Sequence, residues 1–204
     1  MNFEAPEDIQ GDGGNYLTEP GTYHVVITAV KDGLGPKGGA IDGFTFEMDV
    51  LAGTADGCSG KTHTECLFAP NLTKSEDNQT MSKRKLAAFF IATGVMTPDQ
   101  LGKAVSIDVK KAEGAQLLIK LERQMLKNES TGKYDVPTKF LQISYSDMFH
   151  VDDPAVKDVP KNKDALGMID KIDRHDESWF AFKAKKGSAK KEMVAASTSD
   201  FDDL

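Results

Sequence analysis

Ser82-Lys83-Arg84-Lys85-Leu86-Ala87-Ala88-Phe89-Phe90-Ile91-Ala92-Thr93-Gly94 is where the chain changes its period. Leu86, Phe89 and Phe90 stand at i, i+3 and i+4, on one helical face, with Ser82 as a capping residue and Gly94 as a left-handed stop. The spacing predicts a helix over 82–94. On both sides of it, apolar residues recur at every second position instead. Upstream, Thr22 to Val30 is β-branched and aromatic between Pro20-Gly21 and Lys31-Asp32-Gly33, which reads as strand one. Phe44, Phe46, Met48 and Val50 alternate with Thr45, Glu47 and Asp49 as strand two, and Lys61 to Phe68 forms strand three, stopped by Pro70. Downstream, Thr97-Pro98-Asp99-Gln100 carries the signals of a single capped turn. Val105, Ile107 and Val109 then predict strand four, and Leu117, Ile119 and Leu121 within 116–126 predict strand five, joined to four as a hairpin through Glu113-Gly114. Leu141, Ile143 and Tyr145 suggest a sixth.

Three strands, a helix and two strands is the connectivity of the OB barrel, whose helix lies between strands three and four. The expected class is therefore mainly β: an OB-fold-like five-stranded barrel with an additional strand and a flexible acidic C-terminal tail. A β-sandwich with one helical insert is the competing architecture. Residues 1–15 are Gly- and acid-rich and read as a loose arm. The domain spans 16–182, including an extension where Leu166, Ile169 and Ile172 permit a short helix and Trp179, Phe180 and Phe182 can dock back. In 183–204, Lys183 to Lys191 is a basic linker without an apolar face, and Ser199 to Leu204 is an acidic tip.

Composition narrows the function classes. The 204 residues, 39% hydrophobic and 28% charged, suffice for one sizeable core. No apolar run is long enough for a membrane span, and the first residues lack the basic start and apolar stretch of a secretion signal, so a cytoplasmic protein is expected, in a host cell if viral. Cys58 and Cys66 are too few for a disulfide framework. The formal charge of -7 is unevenly spread: residues 61–140 carry 13 cations and 9 carboxylates, whereas residues 1–60 carry 2 and 10. A polyanion would meet the middle of the chain.

Catalysis finds no support in this pattern, and a non-enzymatic protein without cofactor is expected. Ala55 to Thr62 ends in Gly60-Lys61-Thr62 and formally fits a relaxed phosphate loop, but a strand-like segment follows where the motif needs a helix N-terminus. Cys58, His63 and Cys66 lie close together, yet a structural zinc site needs four ligands, and His63 and Cys66 on one strand point to opposite faces. No Gly-x-Ser-x-Gly elbow is present. Single-stranded nucleic acid asks for cations that follow phosphates and for aromatic faces on which bases stack. The middle block supplies both kinds. Lys83, Arg84 and Lys85 open the expected helix, against its dipole. Lys110, Lys111, Lys120 and Arg123, with Lys103, Lys127, Lys133 and Lys139, are spread over the later strands among Tyr134, Phe140 and Tyr145. Stacking is expected on some of Tyr23, Phe44, Tyr134, Phe140 and Tyr145, and phosphate contact from Lys83, Arg84, Lys85, Lys110, Lys111, Lys120 and Arg123. In the tip, Asp200, Asp202 and Asp203 surround Phe201 before Leu204, a pattern that offers a partner protein charges and an apolar anchor.

Between roughly Tyr16 and Pro160 the chain resembles the small OB-fold single-stranded-DNA-binding proteins of bacteriophage replication and recombination modules. Glu19-Pro20-Gly21-Thr22-Tyr23, Phe89-Phe90-Ile91-Ala92-Thr93-Gly94 and Phe149-His150-Val151-Asp152-Asp153-Pro154 carry the resemblance. The tail is similar to those by which such proteins recruit replication proteins, although the bacterial form ends in Ile-Pro-Phe and this one in Leu204. The resemblance implies a protein that coats and protects single-stranded DNA and recruits replication or recombination partners, with no catalytic residues; a homo-oligomer is compatible with it. The competing class is an accessory factor of the same module that binds protein and not DNA. A nucleotide-binding protein acting through Gly60, Lys61 and Thr62 is a third.

Overall fold

The computed structural model describes residues 15–169 together with His175 and Trp179. Strands β1 (Gly21–Leu34), β2 (Ala40–Gly53) and β3 (Thr62–Phe68) precede helix α1 (Glu76–Ala92); β4 (Gln116–Lys127) and β5 (Tyr134–His150) follow it, and a short helix α2 (Lys163–Gly167) lies beyond them. The five strands form one antiparallel sheet in the order β3-β2-β1-β4-β5. Register shifts along β1 at His24/Val25, Ile27/Ala29 and Asp32/Leu34 are the kind of irregularity that bends a strand and tightens its twist. The two outer strands consequently approach each other. The Ile143 backbone N–H of β5 donates to Oε2 of Glu65 on β3 at 2.8 Å. No ladder joins β3 to β5 among the described residues, so the sheet is curled but its seam is spanned by a side chain and not closed by strand pairing.

Inward residues of β1, β2 and β4 fill the core: Val25 and Ile27, Phe46 and Met48, Leu117, Ile119 and Leu121. The C-terminal end of α1 plugs it with Phe89, Phe90, Ile91 and Ala92. The rings of Phe44, Phe46, Phe89 and Phe90 interlock, with centroids from 4.6 Å (Phe46–Phe89) to 6.1 Å (Phe44–Phe46). A smaller cluster of Leu118, Val151 and Val156 holds the C-terminal extension, with Leu166 and Ile169 packed against it.

Two sequence expectations require correction. Helix α1 begins at Glu76, not after Ser82, and Ser75 is its N-cap residue. Its first turns carry no apolar face, so periodicity is silent there, while Glu76 and Asp77 favour the start through the helix dipole. The expected strand over 105–109 does not form. Ile107 and Val109 pack against the core while Val105 is exposed, so the alternation is real, but the segment has no neighbouring strand. Asp108 accepts from the Lys110 N–H at 3.1 Å and turns the chain into a 3-10 helix over Val109–Ala112. The hairpin is instead β4–β5, pairing Leu121 with Ile143, and positions 141–145 are interior to β5. Among the described residues no helix is long and apolar enough to cross a membrane.

Gly43 of β2 has φ 151°, and a Cβ there would lie 2.1 Å from the Leu67 carbonyl oxygen on β3. Backbone strain and the clash act together, so Gly43→Ala is expected to destabilise the fold by on the order of 3 kcal/mol. Urea denaturation checks this; an unchanged midpoint would contradict the close approach.

Candidate nucleic-acid interface

The sequence-selected aromatics divide sharply. Tyr23 is fully buried, with its ring against Gly21 and Gly53 and its hydroxyl donating to the Glu19 carbonyl at 2.5 Å. Burial, with the nearby Cys58 and Glu19, pushes its pKa up to about 12. Phe44 is buried in the four-ring core cluster. Neither is available for stacking; both are core residues, placed inward by the alternation of their strands. Tyr134 and Phe140 are the opposite, 72% and 60% exposed on β5. The side chain of Tyr145 lies outside the described residues.

The exposed pair belongs to an arm. β4 is buried at Leu117, Leu118, Ile119 and Leu121, but from Gln124 onward every residue of the strand is exposed. β5 matches it: Tyr134 pairs with Lys127, Val136 with Leu126 and Pro137 with Met125. The connecting turn is locked by Asn128 N–H to Lys133 O (2.7 Å) and Gly132 N–H to Asn128 O (2.8 Å), with Gly132 at φ 71°. A bulge near the base has the Phe140 N–H donating to Thr138 Oγ1 at 3.1 Å. This ribbon holds Met125, Leu126, Tyr134, Val136 and Phe140 in solvent. Between Arg123 and Lys139 it carries four cations and two carboxylates. Lys139 Nζ sits 5.5 Å from the Phe140 ring centroid, within cation–π range. These exposed apolar side chains, gathered on one ribbon, make it the candidate surface.

The cations divide as well. Lys120 is held by Glu122 at 2.8 Å and Asp147 at 3.8 Å, and the Glu122 contact raises its pKa above the ordinary lysine value. Arg123 meets Glu19 at 3.4 Å. Lys127, Lys133 and Lys139 form no ion pair among the described residues; they are the arm's unneutralised charges, and the sequence reading had given them no individual role. Lys83, Arg84 and Lys85 are interior to α1 and not at its start, so the argument from the helix dipole does not apply to them. Lys110 and Lys111 stand on the 3-10 turn before β4, with the 12 residues of that strand between them and the arm's tip. Arg123 pairs with Leu141, next to Phe140, at the base of the arm, whereas Lys120 lies in the core-facing half of β4 beside Glu122 and Asp147, and the remaining selected cations stand on α1 and the 3-10 turn.

The other candidate motifs are absorbed by the fold. Gly60 N–H donates to Val50 O and Val50 N–H to Lys61 O, both at 2.8 Å, so Gly60-Lys61-Thr62 is the tight turn into β3, and no helix follows it. Cys58 is buried in the core and Cys66 half-buried beside Thr45, while His63 is buried with its Nε2 4.0 Å from Glu65. Among the described residues no group of three or more His, Cys, Asp or Glu is placed to hold a metal ion. The partner-binding residues proposed from sequence, Asp200, Phe201, Asp202, Asp203 and Leu204, lie outside the described residues. No protein-family model matches the chain, and no curated protein matches it either.

Proposed function

We propose that the chain is an OB-type single-stranded-DNA-binding protein of a bacteriophage replication or recombination module, non-enzymatic, that coats and protects exposed strands and recruits partners through its acidic tail. The observation that carries this reading is the β4–β5 arm, where exposed Tyr134 and Phe140 stand beside Lys127, Lys133 and Lys139, which form no ion pair among the described residues. The strand order β3-β2-β1-β4-β5 with a helix between β3 and β4 supports the OB reading, although β3 and β5 do not pair among the described residues, and the OB fold presents its β4–β5 loop to oligonucleotides. Bases stack on exposed rings without sequence preference, and lysines follow the phosphates.

Equilibrium binding of a labelled oligothymidine, set beside a duplex of equal length, tests the reading. Tighter binding of the single strand is expected; equal affinity or no binding at low salt would overturn it. Within the arm, Lys133→Ala and Lys139→Ala are each expected to lower affinity and to reduce the salt slope by about 0.7, the share of one neutralised phosphate. Lys120→Ala is expected to leave that slope unchanged, because Glu122 and Asp147 already neutralise its charge. A larger loss at Lys120 than at Lys139 would contradict this placement of the strand.

A second reading has one observation in its favour. Met125, Leu126 and Val136 are exposed beside the rings, and such aliphatic surface suits a protein partner better than a phosphate backbone. In that case the arm binds protein, and oligothymidine has no effect.

A further inference from the structure

Beyond the arm, the other end of β4 opens on a cleft of about 890 Å³ between the end of α1, the turn before β4 and the C-terminal extension. One wall is aromatic. Trp179 lies flat on His175, with centroids 3.7 Å apart and 3° between planes, and the His175 ring is 4.4 Å from that of His150. The wall is tied in place: the Asp152 carboxylate accepts from the His175 backbone N–H at 2.8 Å, and the Asp152 N–H donates to His150 Nδ1 at 3.2 Å. Behind it, the Gln116 side chain links His24 to the Ala165 carbonyl, and the Asn162 N–H donates to His24 Nδ1 at 3.1 Å.

Three features of this cleft select the same chemistry. The Trp179 Nε1–H is buried and meets no acceptor among the described residues; an indole nitrogen can only donate, so whatever satisfies it must bring an acceptor. The ring ladder suits a planar heteroaromatic group. At the rim, the Lys111 ammonium has no ion pair among the described residues, whereas the neighbouring Glu113 carboxylate is engaged by the Val30 N–H at 2.9 Å. A planar group with acceptors, joined to an anion, is a nucleotide.

We propose that the cleft binds a single nucleotide unit, its base on the Trp179–His175–His150 wall and its phosphate at Lys111. The inference rests on the reading of the chain as a strand binder for one of its two sources, a unit of the bound strand; the other source is a free mononucleotide.

Trp179 is the chain's only tryptophan, so intrinsic fluorescence of the full-length protein reports on this wall alone. Titrations with thymidine monophosphate and with unlabelled oligothymidine are compared with the anisotropy of a labelled oligothymidine. Saturable quenching of Trp179 is expected, weakened about tenfold by Lys111→Ala, whose side chain is exposed and not part of the core. Quenching by the oligonucleotide alone assigns the site to the strand, and quenching by the monophosphate assigns it to free nucleotides. Strand binding without any quenching overturns the cleft proposal and leaves the arm reading standing. Quenching by the monophosphate with no strand binding does the reverse. Quenching that Lys111→Ala does not weaken also overturns the assignment.

Discussion

Replacing Tyr134 and Phe140 together by alanine is expected to weaken oligothymidine binding by roughly 30-fold to 20,000-fold, since base stacking on an aromatic side chain contributes about 1–3 kcal/mol for each ring and each 1.4 kcal/mol is a factor of ten. Both rings are mostly exposed and outside the core, so the thermal midpoint should stay within a degree or two, in line with the small effect of most surface substitutions. The contrast is with Tyr23 and Phe44. Alanine there removes a buried ring, at a cost of about 3–5 kcal/mol in stability, and any loss of binding follows from loss of fold. Fluorescence anisotropy paired with thermal unfolding on the double variant and on the Tyr23 and Phe44 variants separates the two outcomes. Undiminished affinity in the Tyr134/Phe140 double variant would remove the arm from the site.

Acid is expected to destabilise the protein well before most carboxylates titrate, and the cause is His24. This ring is fully buried on β1; its Nδ1 accepts from Asn162 N–H, so its Nε2 carries the proton and donates to Gln116 Oε1 at 3.0 Å. Protonation would add a charge in a dry site and turn the Nδ1 acceptor into a donor facing a donor. Burial accordingly lowers its pKa from 6.5 to about 4. Above pH 6.5 the ring is neutral folded and unfolded, and the contribution is fully present. As pH falls from 6.5 to 4 the unfolded chain takes up the proton and the folded chain resists it, so stability declines by about 3 kcal/mol and then levels. His63, also pushed down by burial, acts in the same direction. Urea denaturation at pH 7, 5.5 and 4.5 checks the slope; a free energy constant over that range would contradict a neutral, hydrogen-bonded His24.

The C-terminal extension is coupled to that histidine. His24 and Gln116 anchor Asn162 and Ala165, the residues that bracket the first turn of α2. The acid transition should therefore release the extension first. Neither contact is legible in the sequence, because a hydrogen bond between residues 24 and 162 leaves no local pattern.

Other parts were legible for physical reasons. β1, β2 and β3 alternate because each faces core on one side, and Thr97 to Gln100 announced a capped turn that forms, with Gln100 Oε1 accepting from the Thr97 N–H at 2.9 Å. Alternation at Val105, Ile107 and Val109 misled because it carries no information on a pairing partner: Ile107 and Val109 sit beside the core without a neighbouring strand, and Val105 is exposed. Tyr134 and Phe140 are exposed and Tyr23 and Phe44 are buried, although all four lie in β-rich runs. The difference lies in where each strand leaves the core. β4 does so after Leu121, a boundary set by tertiary packing that a period of two cannot mark. The unneutralised state of Lys133 and Lys139, against the paired state of Lys120, likewise depends on Asp147 and Glu122 in space.

The most direct test of the central claim is the salt dependence of oligothymidine binding, followed by anisotropy of the labelled strand in the full-length protein and in the Tyr134/Phe140 double variant. A logarithmic slope near -2 is predicted, about -0.7 for each phosphate met by Lys127, Lys133 and Lys139, retained in the variant at a much lower affinity. Binding that does not respond to salt, or no binding at the lowest salt, would contradict the account and leave the arm as a surface for protein.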